Sequence, residues 1–175
     1  MSSSCSSVIF KKELSTTFTA VFSKLPFKKG DEIFRIIPLN LTETMTSHTI
    51  QYSTTLHIPI EDLQDFQYLS HSCEPNLILK FVESNSEKVK NNDDGKKYEL
   101  SLVAKKDIQE NEELSFDYTN TEYDMSTPFD CICGSKSCYK KVAGFKHLNE
   151  TQQKENFEFI TPTVRLFFEK EKLNH

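Results

Sequence analysis

Ser70-His71-Ser72-Cys73-Glu74-Pro75-Asn76 sets a cysteine in the most polar, turn-rich stretch of the chain. Its candidate partners lie near the other end, in Phe129-Asp130-Cys131-Ile132-Cys133-Gly134-Ser135-Lys136-Ser137-Cys138, where Cys131, Cys133 and Cys138 form C-x-C-x4-C. Structural zinc takes four ligands in a tetrahedron, and thiolates are a favoured set. Three closely spaced cysteines are one ligand short, and Cys73 is the candidate fourth. The alternative is a buried free thiol at Cys73, which would leave an uncommon three-cysteine site. A Zn(2+) held by all four would fix the last quarter of the chain over the 70–76 stretch.

At 175 residues the chain suits one domain, or one domain with a small appendage, and is long enough to bury a sizeable core. With 37% hydrophobic and 27% charged residues it reads as folded and soluble rather than disordered. Fourteen Phe and six Tyr, with no Trp, must supply the large core side chains. A net charge of −5 disfavours direct nucleic-acid binding, which needs a basic face. It suits a basic partner such as a Lys-rich peptide, or simply keeps a monomer soluble. Met1 to Ser7 lacks the positive and apolar regions of a secretory signal, and no run approaches the ~20 apolar residues that span a bilayer. The reading is therefore intracellular, in nucleus or cytoplasm, with no membrane association. In a reducing compartment C-x-C cysteines more often hold metal than pair as disulfides. Cys5 is left over, with no assigned role.

Residues 1–7 read as a flexible tail. Val8-Ile9-Phe10, Ala20-Val21-Phe22 and Ile33-Phe34-Arg35-Ile36-Ile37 read as strands, with Gly30 free to turn at positive φ. Thr49 to Tyr52 and Leu56 to Ile58 are further short strands, and Glu61 to Leu69 a short helical turn. Asn76 to Glu83 and Tyr98 to Ala104 are strands around residues 84–97, which carry almost nothing to bury and read as an exposed, mobile hairpin loop. Glu113 to Tyr118 is the last strand. Val164, Phe167, Phe168 and Leu173 recur at helical intervals near the end.

Three blocks now stand in order: the 70–76 stretch, Glu112-Glu113-Leu114-Ser115-Phe116-Asp117-Tyr118, and the C-x-C-Gly-x3-C cluster. The first resembles N-H-S-C-x-P-N and the second G-E-E-L-x-F-D-Y. Together with the third they resemble a SET domain followed by a post-SET zinc segment, the protein-lysine methyltransferase family. Thr121 to Phe129 is similar to that of compact members with little beyond the catalytic core. One block alone would be weak; three in the family's order are specific. The resemblance implies a mainly β fold of small curved sheets. Its pseudoknot threads 70–76 against 113–118. Residues 8–122 would be the SET domain, 123–148 the post-SET segment and 149–175 a helical extension.

The resemblance also implies methyl transfer from S-adenosylmethionine to a lysine of a protein or peptide, histone tails being one such class. The attacking amine must first lose its proton, against a free pKa near 10.4. An apolar, aromatic channel lowers that value, and in-line placement removes several kcal/mol of barrier. Tyr118 matches the family's catalytic tyrosine; a core tyrosine is the alternative. Tyr123 lies where the family often limits methyl number, though packing explains it nearly as well. Tyr52 and Tyr68 are further channel candidates with structural alternatives. Ser70 and His71 match the pair that holds the cofactor, and Asn76 reads as a local brace for its turn.

Two departures bear on the cofactor. Many SET domains open on Gly-x-Gly, where this chain reads Phe18-Thr19-Ala20; Ala20 and Phe22 are then the cofactor-side positions of that strand. Ser70 stands where the family usually has Asn, and a hydroxyl offers fewer bonds than an amide. Either change weakens the cofactor site. A non-catalytic SET-like binding module therefore stands beside the active enzyme, with a plain zinc-binding interaction domain as a third reading.

Overall fold

The computed structural model describes residues 7–16 and 18–173; Cys5 and nearly all of the 1–7 tail lie outside them. Short runs of alternating residues produce short strands, and these pair into five small sheets. β1 (Ile9–Ser15) and β2 (Phe18–Ser23) form an antiparallel hairpin with a register shift between Glu13 and Ser15. β3 (Glu32–Ile36), β7 (Leu77–Glu83) and β8 (Tyr98–Ala104) form the one three-stranded sheet, with β8 in the centre. Leu100, Leu102 and Ala104 on β8 are at most 1% exposed, as befits a strand flanked on both sides. β4 (Ile50–Gln51) pairs with β5 (His57–Ile58), and β10 (Phe129–Asp130) with β11 (Lys141–Val142), both antiparallel. Gly30 turns at φ 95°, as its place before β3 demands.

The remaining pair decides the topology. β6 (Ser70–His71) runs parallel to β9 (Ser115–Phe116), although more than forty residues separate them. Asn76 is the pin. Its amide donates to Glu113 O at 2.8 Å and to Glu112 Oε1 at 3.0 Å, while its Oδ1 accepts from Ser115 N–H at 2.9 Å. The residue is buried, so each lost bond would leave a polar group dry. This corrects the expected local brace: the side chain bonds the distant 112–115 segment, and even its own carbonyl is satisfied at long range, by Lys105 N–H after β8.

Two hydrophobic cores form. The larger gathers Val21, Tyr52, Ile58, Leu77, Leu114 and the β8 leucines. The smaller holds Tyr123, Phe145, Leu148, Ile160 and Val164, with Phe167 and Phe168 packed against it. That second core anchors α2 (Glu150–Asn156) and α3 (Pro162–Leu173), the expected helical extension. α1 (Ile60–Leu63) and the 3-10 turn Gln64–Tyr68 realise the short helical turn before β6. Gly144 is required where the chain crosses itself: at φ 109°, a Cβ there would lie 2.5 Å from Tyr123 O.

Residues 84–97 correct the expectation of an exposed loop with nothing to bury. Val89 is 2% exposed and belongs to the larger core. Asn92 donates to Tyr52 O, and Asp93 accepts from Thr54 N–H and its hydroxyl. One apolar residue, with polar bonds from Asn92 and Asp93, docks the segment.

Replacing Asn76 with Ala should destabilise the protein by roughly 2–5 kcal/mol, because three buried bonds lose their partner. Urea unfolding would measure it; a loss under about 0.5 kcal/mol would remove Asn76 as the pin.

Candidate active site

The β6–β9 pair brings Ser70, His71 and Tyr118 to one wall of a cleft of about 810 Å³. Phe18 and Thr19 border it on one side and the cysteine segment, with Phe129 and Cys131, on another. A second, much narrower cavity of about 50 Å³ lies behind, floored by Ile50, Phe66 and Phe116. The two share Leu69, Tyr118 and Met125 among their linings. Tyr118 therefore stands at their junction.

Tyr118 is held from several sides. Its hydroxyl donates to Leu69 O at 2.5 Å, and its ring lies 4.7 Å from Phe116 and 5.3 Å from His71. Burial pushes its pKa up to about 12, so the hydroxyl stays protonated at neutral pH. Such a group orients a partner by hydrogen bonds; it does not serve as a base.

His71 Nδ1 accepts the Tyr118 main-chain N–H at 3.3 Å. The ring proton therefore sits on Nε2, which lies 3.3 Å from Cys73 Sγ. Burial lowers the His71 pKa, with Asp117 opposing, and the ring is neutral. Asp117 is itself 1% exposed. It accepts from Thr119 N–H and Thr119 Oγ1 through one oxygen and from the Tyr139 hydroxyl, at 2.6 Å, through the other. Tyr139 in turn accepts from Asn156 Nδ2 at 2.9 Å, so α2 is wired to the 113–118 motif.

The four sulfurs of Cys73, Cys131, Cys133 and Cys138 lie within 4.8 Å of one another. Cys73 and Cys131 are 3.8 Å apart. A tetrahedron with Zn–S bonds of ≈ 2.3 Å has edges of about 3.8 Å, so the thiols fit one such metal ion. Main-chain N–H groups of Tyr139 and Lys140 donate to Cys73 and Cys138 Sγ at 3.4 Å each, the arrangement that thiolates favour.

Of the remaining sequence candidates, Tyr68 does line the large cleft, with the Lys11 ammonium over its ring. Ser70 lines it too, but its hydroxyl is engaged, donating to Glu113 Oε1 at 2.5 Å. Four candidates need correction, since none borders either cavity. Tyr52 is fully buried, its hydroxyl donating to Lys90 O and accepting from Tyr98 N–H, because the 84–97 segment folds over it. Tyr123 stacks on Phe167 at 5.3 Å and donates to Glu171, because α3 covers it. Ala20 is sealed in the core, and Phe22 stacks on Phe10 across the hairpin. The cleft opens instead over the start of β2, at Phe18 and Thr19.

Two residues escaped the sequence reading. Tyr139 lacked a signal, since its partner Asp117 lies 22 residues away. Glu122 lines the smaller cavity, and nothing in its local sequence signals that.

The SET domain family matches residues 19–119. The methyltransferase flvH of Aspergillus flavus is 28% identical over 129 residues, covering 74% of this chain and 64% of that protein. The human histone-lysine N-methyltransferase SETMAR is 36% identical over 84 residues, covering 41% of this chain and 11% of that one. The chain thus spans less than two thirds of either relative. Among solved structures, KRYPTONITE in complex with mCHH DNA, an H3(1-15) peptide and SAH superimposes with a TM-score of 0.54 at 21% identity, over 77% of this chain and 29% of that chain. The methyltransferase domain of human SETMAR does so with a TM-score of 0.52 at 22% identity, over 78% of this chain and 57% of that one. With a family match over more than half of its length and the same fold in these structures, this chain belongs to the SET-domain family.

Proposed function

We propose that the protein is a lysine N-methyltransferase that uses S-adenosylmethionine, with its four clustered cysteines holding Zn(2+). One observation carries the reading: Tyr118 stands where a ligand-sized cleft meets a narrow, largely apolar cavity. Two substrates approaching from opposite sides would meet at its hydroxyl. When bound, S-adenosylmethionine supplies an electrophilic methyl group on a cationic sulfur. The large cleft suits such a ligand in volume and in charge. Among the described residues Glu113 is its one carboxylate, and neither Lys nor Arg lines it.

Within that reading Ser70 acts through Glu113, orienting the carboxylate toward the cofactor's cationic end. Tyr68 and Phe129 provide aromatic faces, and His71 braces both Tyr118 and Cys73. Leu69, Phe66 and Phe116 give the smaller cavity an apolar side, which favours a neutral amine. The Tyr118 hydroxyl, with Leu69 O beside it, orients the nitrogen for in-line attack.

The substrate is a protein or peptide presenting a lysine. A histone tail is one fit, given the histone-lysine relatives and the net charge of −5. The protein would act as a monomer in nucleus or cytoplasm, without touching nucleic acid. None of the described helices is long and apolar enough to cross a membrane. A second reading, an inactive peptide-binding module, has its own support: Phe18 borders the cleft where many members carry the first glycine of Gly-x-Gly, and the Ser70 hydroxyl is already engaged.

Calorimetric titration with S-adenosylmethionine separates the two; no heat at high micromolar cofactor would favour the module. Tyr118→Phe should keep cofactor affinity and lower transfer to core histones or cell-extract protein by about 10² or more. Turnover equal to the parent would remove Tyr118 from the chemistry.

Cys73→Ser should release zinc and expose the chain after Pro128 to protease, since ligation energy in such sites is folding energy. Metal analysis with limited proteolysis checks this. Stoichiometric, chelator-resistant zinc in the variant would show that the thiol at 73 is not a ligand.

A further inference from the structure

Tyr118 accounts for the aim of the attacking nitrogen but not for its proton, because the hydroxyl is itself kept protonated. A lysine enters as an ammonium, and something must receive that proton before the lone pair is free. Among the described residues the smaller cavity has one carboxylate in its lining. Glu122 follows the 3-10 turn Tyr118–Asn120: Thr121 N–H closes that turn on Tyr118 O at 3.2 Å, and Glu122 N–H donates to the same oxygen at 3.1 Å. Tyr118 and Glu122 both line the same cavity.

The carboxylate is fixed but not neutralised. Glu122 Oε1 accepts the Gln51 main-chain N–H at 2.7 Å. Among the described residues no cation forms an ion pair with it, and no Lys or Arg lines the cavity. The loop 46–49 contributes His48, and the 3-10 turn contributes Tyr118. The other linings, from β4, α1 and the segment 125–127, carry no ionisable group. A half-buried carboxylate without a counter-ion is costly unless a cation arrives. The cavity is small, about 50 Å³, and an ammonium entering it would complete the pair.

We infer that Glu122 is a second catalytic residue, which receives the ammonium of the incoming lysine and takes its proton. This rests on the methyl-transfer reading above. One proton passes from the ε-ammonium to the carboxylate, leaving a neutral amine. The nitrogen lone pair then forms the N–C bond as the methyl carbon's bond to sulfur breaks, the electron pair staying on sulfur. The product is a methylated ammonium, and the protonated Glu122 later returns its proton to water. Burial pushes the Glu122 carboxyl up to about 8, with the Gln51 N–H opposing. An adjacent ammonium favours the ionised form, and a base poised near working pH is the efficient one. Turnover should therefore rise with pH through the neutral range and level off once the carboxylate is ionised.

Glu122→Gln tests the inference, because the amide oxygen still accepts from Gln51 N–H and only the charge is lost. Transfer to core histones at neutral pH should fall by about 10²–10⁴ while cofactor affinity is unchanged. Activity should return as pH approaches the lysine's own pKa, near 10.4. A purely structural Glu122 would show neither effect. Binding of n-butylammonium and n-butanol, followed by NMR, gives a readout without turnover. The parent protein should prefer the cation by about tenfold or more, and Glu122→Gln should not, a difference of about 1.4 kcal/mol. Should the parent show that preference yet transfer no methyl group, the cation site stands and the methyltransferase reading falls. Unchanged turnover in Glu122→Gln at neutral pH, or a butylammonium preference that survives the substitution, overturns the inference.

Discussion

The buried amide of Asn76 holds together two pieces of chain that sequence keeps far apart. Through its bonds to the main chain at Glu113 and Ser115, β6 lies parallel to β9. One wall of the larger cleft follows from that pairing. Ser70 and His71 are on one strand of it, and Tyr118 follows the other by two residues. Without a side chain able to donate and accept at once, the two strands would have only a few main-chain bonds between them. A parallel pair of two residues is too short to persist alone.

A second layer of buried polar bonds transmits that geometry outward. Neutral His71 contacts the Tyr118 main chain with one ring nitrogen and the Cys73 sulfur with the other. Asp117 engages Thr119 and Tyr139, and Tyr139 engages Asn156 on α2. The thiol cluster, the motif strand and the C-terminal helices are thus one connected network rather than separate modules. Low local dielectric strengthens such bonds and penalises any gap in the chain of partners. The second aromatic core, with Phe145 fully buried, gives the network a rigid outer wall.

Most strands, the α3 helix and the motif pair were legible in the sequence, because alternation, helical spacing and turn residues are local signals. Features set by distant partners were not. Asn76 read as a turn brace, since nothing in Pro75-Asn76-Leu77 announces a partner nearly forty residues on. Tyr52 and Tyr123 looked like channel tyrosines; only the docking of 84–97 and of α3 removes them from the cavities. Residues 84–97 looked fully solvated because composition averages away the one buried Val89. Within β2, the motif offset pointed at Ala20 and Phe22, yet the cleft opens at Phe18 and Thr19. Spacing gives the face of a strand but not the depth at which each residue sits.

Two cavities of unequal width meeting at one protonated tyrosine form the centre of this account. A crystal structure with S-adenosylhomocysteine and a lysine peptide would test it most directly. The account predicts nucleoside density in the wider cleft against His71 and Phe129, and the lysine in the narrower one, its nitrogen between the Tyr118 hydroxyl and Glu122. Either ligand bound elsewhere, or a lysine nitrogen beyond hydrogen-bonding reach of Tyr118, would contradict it.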